Sequence, residues 1–211
     1  MESAKFHIHT WGCQMNDHDT EKMSGLLIDS GLSPVNAFED ADLVLLNTCS
    51  IREKAADKVF SELGRLREVK AGRPNRRMLI GVAGCLAQQE KEIIFKRAPF
   101  VDFVLGTMAI KQLPKLVADA LSGAPNGIDV AAYPDNHLFP ADKIHRAPTA
   151  KALVTIIEGC DHSCTYCVVP NTRGGERHRP VEDILKEIRG LVADGYCEIE
   201  LLGQNVNSYK G

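Results

Sequence analysis

No stretch of this 211-residue chain is apolar for long enough to cross a membrane as a helix. The opening residues, Met1 to Lys5, also lack the apolar centre of a secretion signal. Low-complexity tracts are absent, and aromatic residues make up only 6% of the chain. The net charge of −3 excludes a protein that is basic over its whole surface, although a local basic patch stays open. These absences point to a soluble, cytoplasmic, globular protein of one or two domains. Cysteine is better represented. There are seven, an odd number that suits two groups of three plus a spare better than a disulfide framework. Cytoplasmic thiols bind metals or react more often than they pair.

Strand-like and helix-like segments alternate along the first half. Residues 5–10 read as a strand and residues 19–30 as a helix, with Met23, Leu26 and Leu27 on one face and Gly31 as a stop. The continuous apolar runs 43–46 and 78–82 are of the kind buried inside a parallel sheet. Between them Ser50 and Glu53 form a capping-box pattern for the next helix. A helix over 88–96, a strand over 101–105 and a helix through Leu113, Leu116, Val117 and Leu121 complete the series. The pattern predicts an α/β fold: an N-terminal open, mostly parallel sheet with flanking helices. We divide the chain into this domain at 4–121, a Pro- and Asn-containing linker at 122–145, and a second domain from 146 to 211. That second region reads as strand 152–157, cysteine loop, helix 181–192 and strand 198–202. One such βαβ unit cannot close a barrel, so it is expected to be the first part of a larger, truncated domain.

Cys13, Cys49 and Cys85 recur at equal intervals of 36 residues, each one or two residues past the carboxyl end of a predicted strand. In a parallel sheet those ends share a rim where ligand sites form. Three distant residues are thereby expected to meet, with helix N-termini favouring their thiolates. The alternative for each is a packed core cysteine. Cys160, Cys164 and Cys167 form a Cys-x3-Cys-x2-Cys loop directly after a strand. Three thiolates can hold three corners of a cubane iron–sulfur cluster and leave the fourth iron open to a small molecule. Zinc with His162 as fourth ligand is the competing reading, although His162 sits cramped inside the loop.

The Cys160–Cys167 loop, with Tyr166 before its last cysteine, resembles the radical S-adenosylmethionine signature. Cys13 in Thr-Trp-Gly-Cys-Gln-Met-Asn, Cys49 in Asn-Thr-Cys-Ser-Ile-Arg-Glu and Cys85 in Gly-Cys-Leu-Ala-Gln are similar to the N-terminal domain of the methylthiotransferases. The runs Ser-Ile-Arg-Glu-Lys-Ala (50–55) and Leu-Leu-Gly-Gln-Asn-Val-Asn-Ser-Tyr (201–209) resemble the tRNA branch of that family. One departure is His178, where the family pattern has serine.

The resemblance implies an enzyme that adds a methylthio group to C2 of an isopentenylated adenosine beside the tRNA anticodon. It implies two 4Fe-4S clusters, one on Cys13, Cys49 and Cys85 and one on Cys160, Cys164 and Cys167. The second cluster would bind S-adenosylmethionine and cleave it to a radical, while the first holds the sulfur to be transferred. Tyr166 would shield the second cluster, and Gly203 and Gln204 would contact the methionine moiety. Expected partners are the tRNA anticodon stem-loop and an electron donor such as flavodoxin or ferredoxin, with the protein acting as a monomer and the sulfur donor unidentified. Rival readings are a methylthiotransferase for threonylcarbamoyladenosine or a ribosomal-protein aspartate, and a non-catalytic iron–sulfur electron carrier or scaffold.

Three features remain outside that scheme. Arg65, Arg67, Lys70, Arg73, Arg76 and Arg77 form the most basic segment, open to tRNA phosphates or to an ordinary solvated helix end. His7 and His9 alternate along a strand and share one face. Cys197 is expected to be a packed core thiol.

Overall fold

The computed structural model describes residues 3–50, 53–73, 77–133, 139–146 and 150–211, with the side chains of 53–56 left aside. In the first region, strand β1 (Lys5–Trp11) leads into helix α1 (Gln14–Asp29), then β2 (Ser33–Pro34) and β3 (Leu43–Thr48). Next come α2 (Glu53–Ala71), β4 (Leu79–Gly84) and two short helices, α3 (Cys85–Glu90) and α4 (Ile93–Arg97). The series ends with β5 (Phe103–Leu105), α5 (Leu113–Leu121) and β6 (Gly127–Asp129). The six strands form one sheet in the order β2-β1-β3-β4-β5-β6, and every pairing is parallel.

The apolar strand runs are continuous because helices cover both faces of the sheet. Leu43, Leu45, Leu79 and Phe103 point to one side, where Met23 and Leu27 of α1 and Leu113, Leu116 and Val117 of α5 pack on them. Their neighbours Val44, Leu46, Ile80, Val82 and Val104 point to the other, against Val59, Leu63 and Leu66 of α2 and Leu86 and Ile94 of α3 and α4. Alternation within one buried strand therefore feeds two cores.

Several boundaries differ from the sequence reading. Helix α1 starts at Gln14 rather than at 19, because Cys13 itself takes the extended N-cap position. The helix expected over 88–96 is two helices, broken at Lys91, whose φ of 48° interrupts helical geometry. The expected linker contributes β6 to the sheet. Gly127 N–H donates to the Asp102 carbonyl (3.1 Å) and Gly106 N–H to the Asp129 carbonyl (2.7 Å). An edge strand of three residues is defined by its backbone partners, so composition alone reads as linker. Of the Ser50–Glu53 capping pair, the Glu53 side chain lies outside the described residues.

The second region begins with β7 (Lys151–Thr155) and β8 (Ile157–Glu158), where a single strand was expected. Helix α6 (Val169–Arg173), β9 (Arg177–His178), α7 (Val181–Ala193) and β10 (Glu198–Leu202) follow. β7 and β10 pair in parallel around α7, giving the expected βαβ unit, with Val154, Ile156, Ile184 and Leu191 in its core. β8 and β9 form an antiparallel hairpin in which Glu158 lies opposite Arg177, and its long connection carries the second cysteine group.

Candidate metal centres

Sheet register gathers the first cysteine group. Trp11 lies beside Thr48 across β1 and β3, and Thr48 lies beside Gly84 across β3 and β4. Cys13, Cys49 and Cys85 therefore leave three adjacent strands at one rim. β1 and β3 flank the point where the strand order reverses, the position at which open α/β sheets hold ligands. Cys49 N–H donates to the Trp11 carbonyl (3.0 Å), which ties the second turn to the first. Beneath the rim, Asn47 Nδ2 donates to the Asn16 carbonyl (2.8 Å) and to Thr20 Oγ1 (2.9 Å), locking α1 to β3.

The thiols differ in character. Cys13 is lowered to about 5, chiefly by a hydrogen bond from Cys49, against the opposing cost of burial. The Asn16 and Met15 N–H groups of the first helical turn and the Arg173 charge add to the effect. Burial pushes Cys85 up, and the Arg173 charge opposes this. Three soft sulfur donors on one rim fit zinc or an iron–sulfur cluster better than a hard cation.

Gly84, just ahead of Cys85, has φ +90°, and a Cβ there would lie 2.4 Å from Asn47 Oδ1 and 2.6 Å from the Thr48 carbonyl. Only glycine permits this turn.

The second group occupies the connection from β8 to β9. Cys160 is buried, Cys167 is partly buried and Cys164 is exposed. Cys160 N–H donates to the Gly174 carbonyl (3.1 Å) and Cys167 N–H to the Cys164 carbonyl (3.0 Å). Gly159 opens the loop at φ +81°, where a Cβ would lie 2.0 Å from the Gly175 carbonyl oxygen. Gln204 accepts a hydrogen bond from Gly159 N–H, and Gly203 rests on Ile157, so the end of β10 braces the entry to the loop. Tyr166 is 90% exposed at its outer edge. His162 is less cramped than its spacing suggested. A ring nitrogen, the Cys160 sulfur and a Glu176 carboxylate oxygen all lie within 4.8 Å of one another. The ring also hydrogen-bonds Asn205 (2.9 Å).

A buried polar layer joins the two groups. Asp19 and Lys22 on α1 are 2% and 4% exposed. Arg173 donates to Asp19 (2.8 Å), Lys22 to Glu158 (2.8 Å) and Arg177 to the other oxygen of Glu158 (3.1 Å). Lys22 also lies 3.5 Å from Asp19. Arg173 ends the short helix after the second cysteine loop, and that helix packs on α3, which begins at Cys85 of the first group. Sequence reading missed this layer. The signal was present in Asn16, His18, Asp19 and Lys22, a polar face of α1 that composition assigns to solvent and the structure buries.

The remaining expectations resolve as follows. Cys197 is exposed, its thiol directed at the Gly195 carbonyl (3.6 Å), so the packed core position expected for it is wrong: the residue precedes β10 at a sheet edge. Lys70 pairs with Asp102 (2.7 Å), Arg73 donates to the Ala41 carbonyl (3.0 Å) and Arg77 to that of Leu121 (2.5 Å). These basic residues tie down the end of the sheet opposite the cysteine rim. Arg76 lies outside the described residues. His7 bonds the Val35 carbonyl (3.0 Å) and His9 stacks on Trp11 at 3.8 Å. Among the described residues, no helix is long and apolar enough to cross a membrane.

Comparison with known proteins gives two family matches. The uncharacterized protein family UPF0004 matches residues 5–106, and the radical SAM superfamily matches residues 154–211. The tRNA-2-methylthio-N(6)-dimethylallyladenosine synthases of Alteromonas mediterranea and Haemophilus influenzae are each 49% identical over 210 residues. These alignments cover 99% of this chain and 43% and 44% of the relatives. The Bacillus licheniformis protein of the same name is 47% identical, with 41% of it covered. The chain thus spans less than half the length of the curated relatives it matches. Among solved structures, the radical S-adenosylmethionine methyltransferase TsrM of Kitasatospora setae superposes with a TM-score of 0.63 at 10% identity. The match covers 97% of this chain and 48% of that one. That likeness concerns the fold alone.

Proposed function

We propose that this chain belongs to the radical S-adenosylmethionine methylthiotransferase family and serves the methylthiolation of tRNA at C2 of N6-isopentenyladenosine beside the anticodon. The observation that carries this reading is the register that sets Cys13, Cys49 and Cys85 on one rim, together with the Arg173–Asp19 pair that ties the helix behind that rim to the second cysteine loop.

Carbon 2 of adenine bears an unactivated hydrogen, which no side-chain acid or base removes readily. A 4Fe-4S cluster on Cys160, Cys164 and Cys167 supplies, when bound with S-adenosylmethionine, the one-electron chemistry that this position requires. Cys13, Cys49 and Cys85 hold a second 4Fe-4S cluster, the site of the sulfur. The protein's part is positional. Gly159 and Gln204 fix the entry of the exposed loop, and Glu158 anchors it to α1 through Lys22. The lowering of the Cys13 thiol favours the deprotonated form that ligation needs.

The anticodon stem-loop is the macromolecular substrate, which places the protein in the cytoplasm, and flavodoxin or ferredoxin is the electron donor to a monomeric enzyme. Residues 4–121 with the added strand 127–129 form the first domain, and 146–211 begin the radical domain.

The test is anaerobic reconstitution, with iron and sulfide counted and the Mössbauer spectrum recorded. Alanine replaces Cys13, Cys49 and Cys85 in one parallel sample and Cys160, Cys164 and Cys167 in another. About eight irons in the parent and about four in each variant support two independent three-cysteine clusters. A parent with a single cluster, lost only with Cys160, Cys164 and Cys167, overturns the assignment of the first group.

A further inference from the structure

The polar layer between the two cysteine groups carries more positive than negative charge. Lys22, Arg173 and Arg177 face two carboxylates, Asp19 and Glu158. The next cations along the interface do not change that balance. Arg146 and Arg179 are both engaged by Glu187, and Arg146 also lies 3.8 Å from Glu21. Lys111, on the turn after β5, adds positive charge next to Glu158. A buried surplus cation is costly unless an anion completes it.

The geometry gives the direction in which that anion lies. Arg173 spends one side of its fork on Asp19 Oδ2 at 2.8 Å. Its helix α6 packs against α3, which begins at Cys85, and its charge acts on the Cys85 and Cys13 sulfurs. Three thiolates around an oxidised cubane leave about one net negative charge, and reduction adds another. The surplus of the layer matches that sign, and its cation stands at that rim.

We propose that Arg173 is a positioning residue for the first cysteine group. Supplied from the second cysteine loop, its charge stands at the Cys85 end of the rim, neutralises the anionic cluster bound there and sets that cluster's reduction potential. The first centre is then complete only when the two regions are docked. This rests on the cluster assigned above to Cys13, Cys49 and Cys85. A guanidinium charge at that rim stabilises the reduced, more negative state and raises the potential.

The experiment isolates the first centre by replacing Cys160, Cys164 and Cys167 with alanine, then follows a redox titration by electron paramagnetic resonance. Arg173→Gln, Arg173→Lys and Asp19→Asn are compared with that parent at equal iron content. Loss of the charge in Arg173→Gln is expected to shift the midpoint to more negative potential. Arg173→Lys keeps the charge but loses the fork, and its midpoint is expected between the two. Asp19→Asn removes the competing carboxylate and is expected to shift the midpoint the other way. A role confined to packing would not produce shifts of opposite sign.

An unchanged midpoint in Arg173→Gln overturns the proposal. If that variant does not fold, the absence of a positive shift in Asp19→Asn does so instead. A parent that takes up no iron at the first group fails before any change at Arg173, and overturns both this proposal and the cluster assignment.

Discussion

Lys22 and Glu158 meet at 2.8 Å across 136 residues of sequence. Lys22 sits on the helix that begins after Cys13, and Glu158 stands two residues ahead of Cys160. One ion pair therefore ties the helix behind the first cysteine group to the strand that enters the second. Arg177 still pairs with Glu158 when Lys22 is removed, so what is lost is one charge-assisted hydrogen bond, worth about 1.5–3 kcal/mol. The Glu158 side chain is 22% exposed, so the lower end applies. Lys22→Met is expected to lower stability by about 1.5 kcal/mol in urea unfolding. A midpoint and slope equal to the parent's would refute the role of this pair.

Gly84→Ala tests the turn that delivers Cys85. At φ +90° the new Cβ would collide with Asn47 Oδ1 and the Thr48 carbonyl, and the backbone must shift. A left-handed non-glycine residue costs about 1–3 kcal/mol before that clash is counted. The expected result is lower stability, with reduced iron at the first group and unchanged iron at the second. Equal loss at both groups would argue for general unfolding instead.

His18 and Glu21 make a pH test. The His18 ring, buried on α1, lies 2.9 Å from Glu21. Burial, aided by the Lys22 and Arg146 charges, holds His18 well below its ordinary 6.5. Burial pushes Glu21 up to about 7, against the pull of Arg146. Below pH 6.5, for as long as His18 stays neutral, the folded pair carries its proton on Glu21, and the unfolded chain carries one on the histidine. The two contributions cancel there. In His18→Gln only Glu21 remains. The folded state then binds the extra proton, and stability should rise as pH falls from 7 to 4.5. In Glu21→Gln only His18 remains. The unfolded state then binds the proton below 6.5, and stability should fall on acidification. Each slope, relative to the parent, is at most about 1.4 kcal/mol per pH unit. Parallel stability–pH curves for all three proteins, from urea unfolding, would exclude this linkage.

The regular elements and the cysteine positions were legible in sequence for local reasons. Apolar runs such as 43–46 fill both faces of a parallel strand, and equal 36-residue intervals put each cysteine at a strand's carboxyl end. Local pattern also gave the βαβ unit of 151–202 nearly residue for residue. Other features depend on what a residue meets far away. The helix break at Lys91, the edge strand 127–129 and the exposed Cys197 leave no periodic mark. Above all, Asp19 and Lys22 look like residues of a solvated helix face, and only the docking of the second region brings their partners Arg173 and Glu158. Sequence by itself determined which sulfurs stand at the rim, because strand ends and spacing are local properties. Tertiary structure alone decided that Arg173 stands beside them, because a buried charge is placed by its partners and not by its neighbours in the chain.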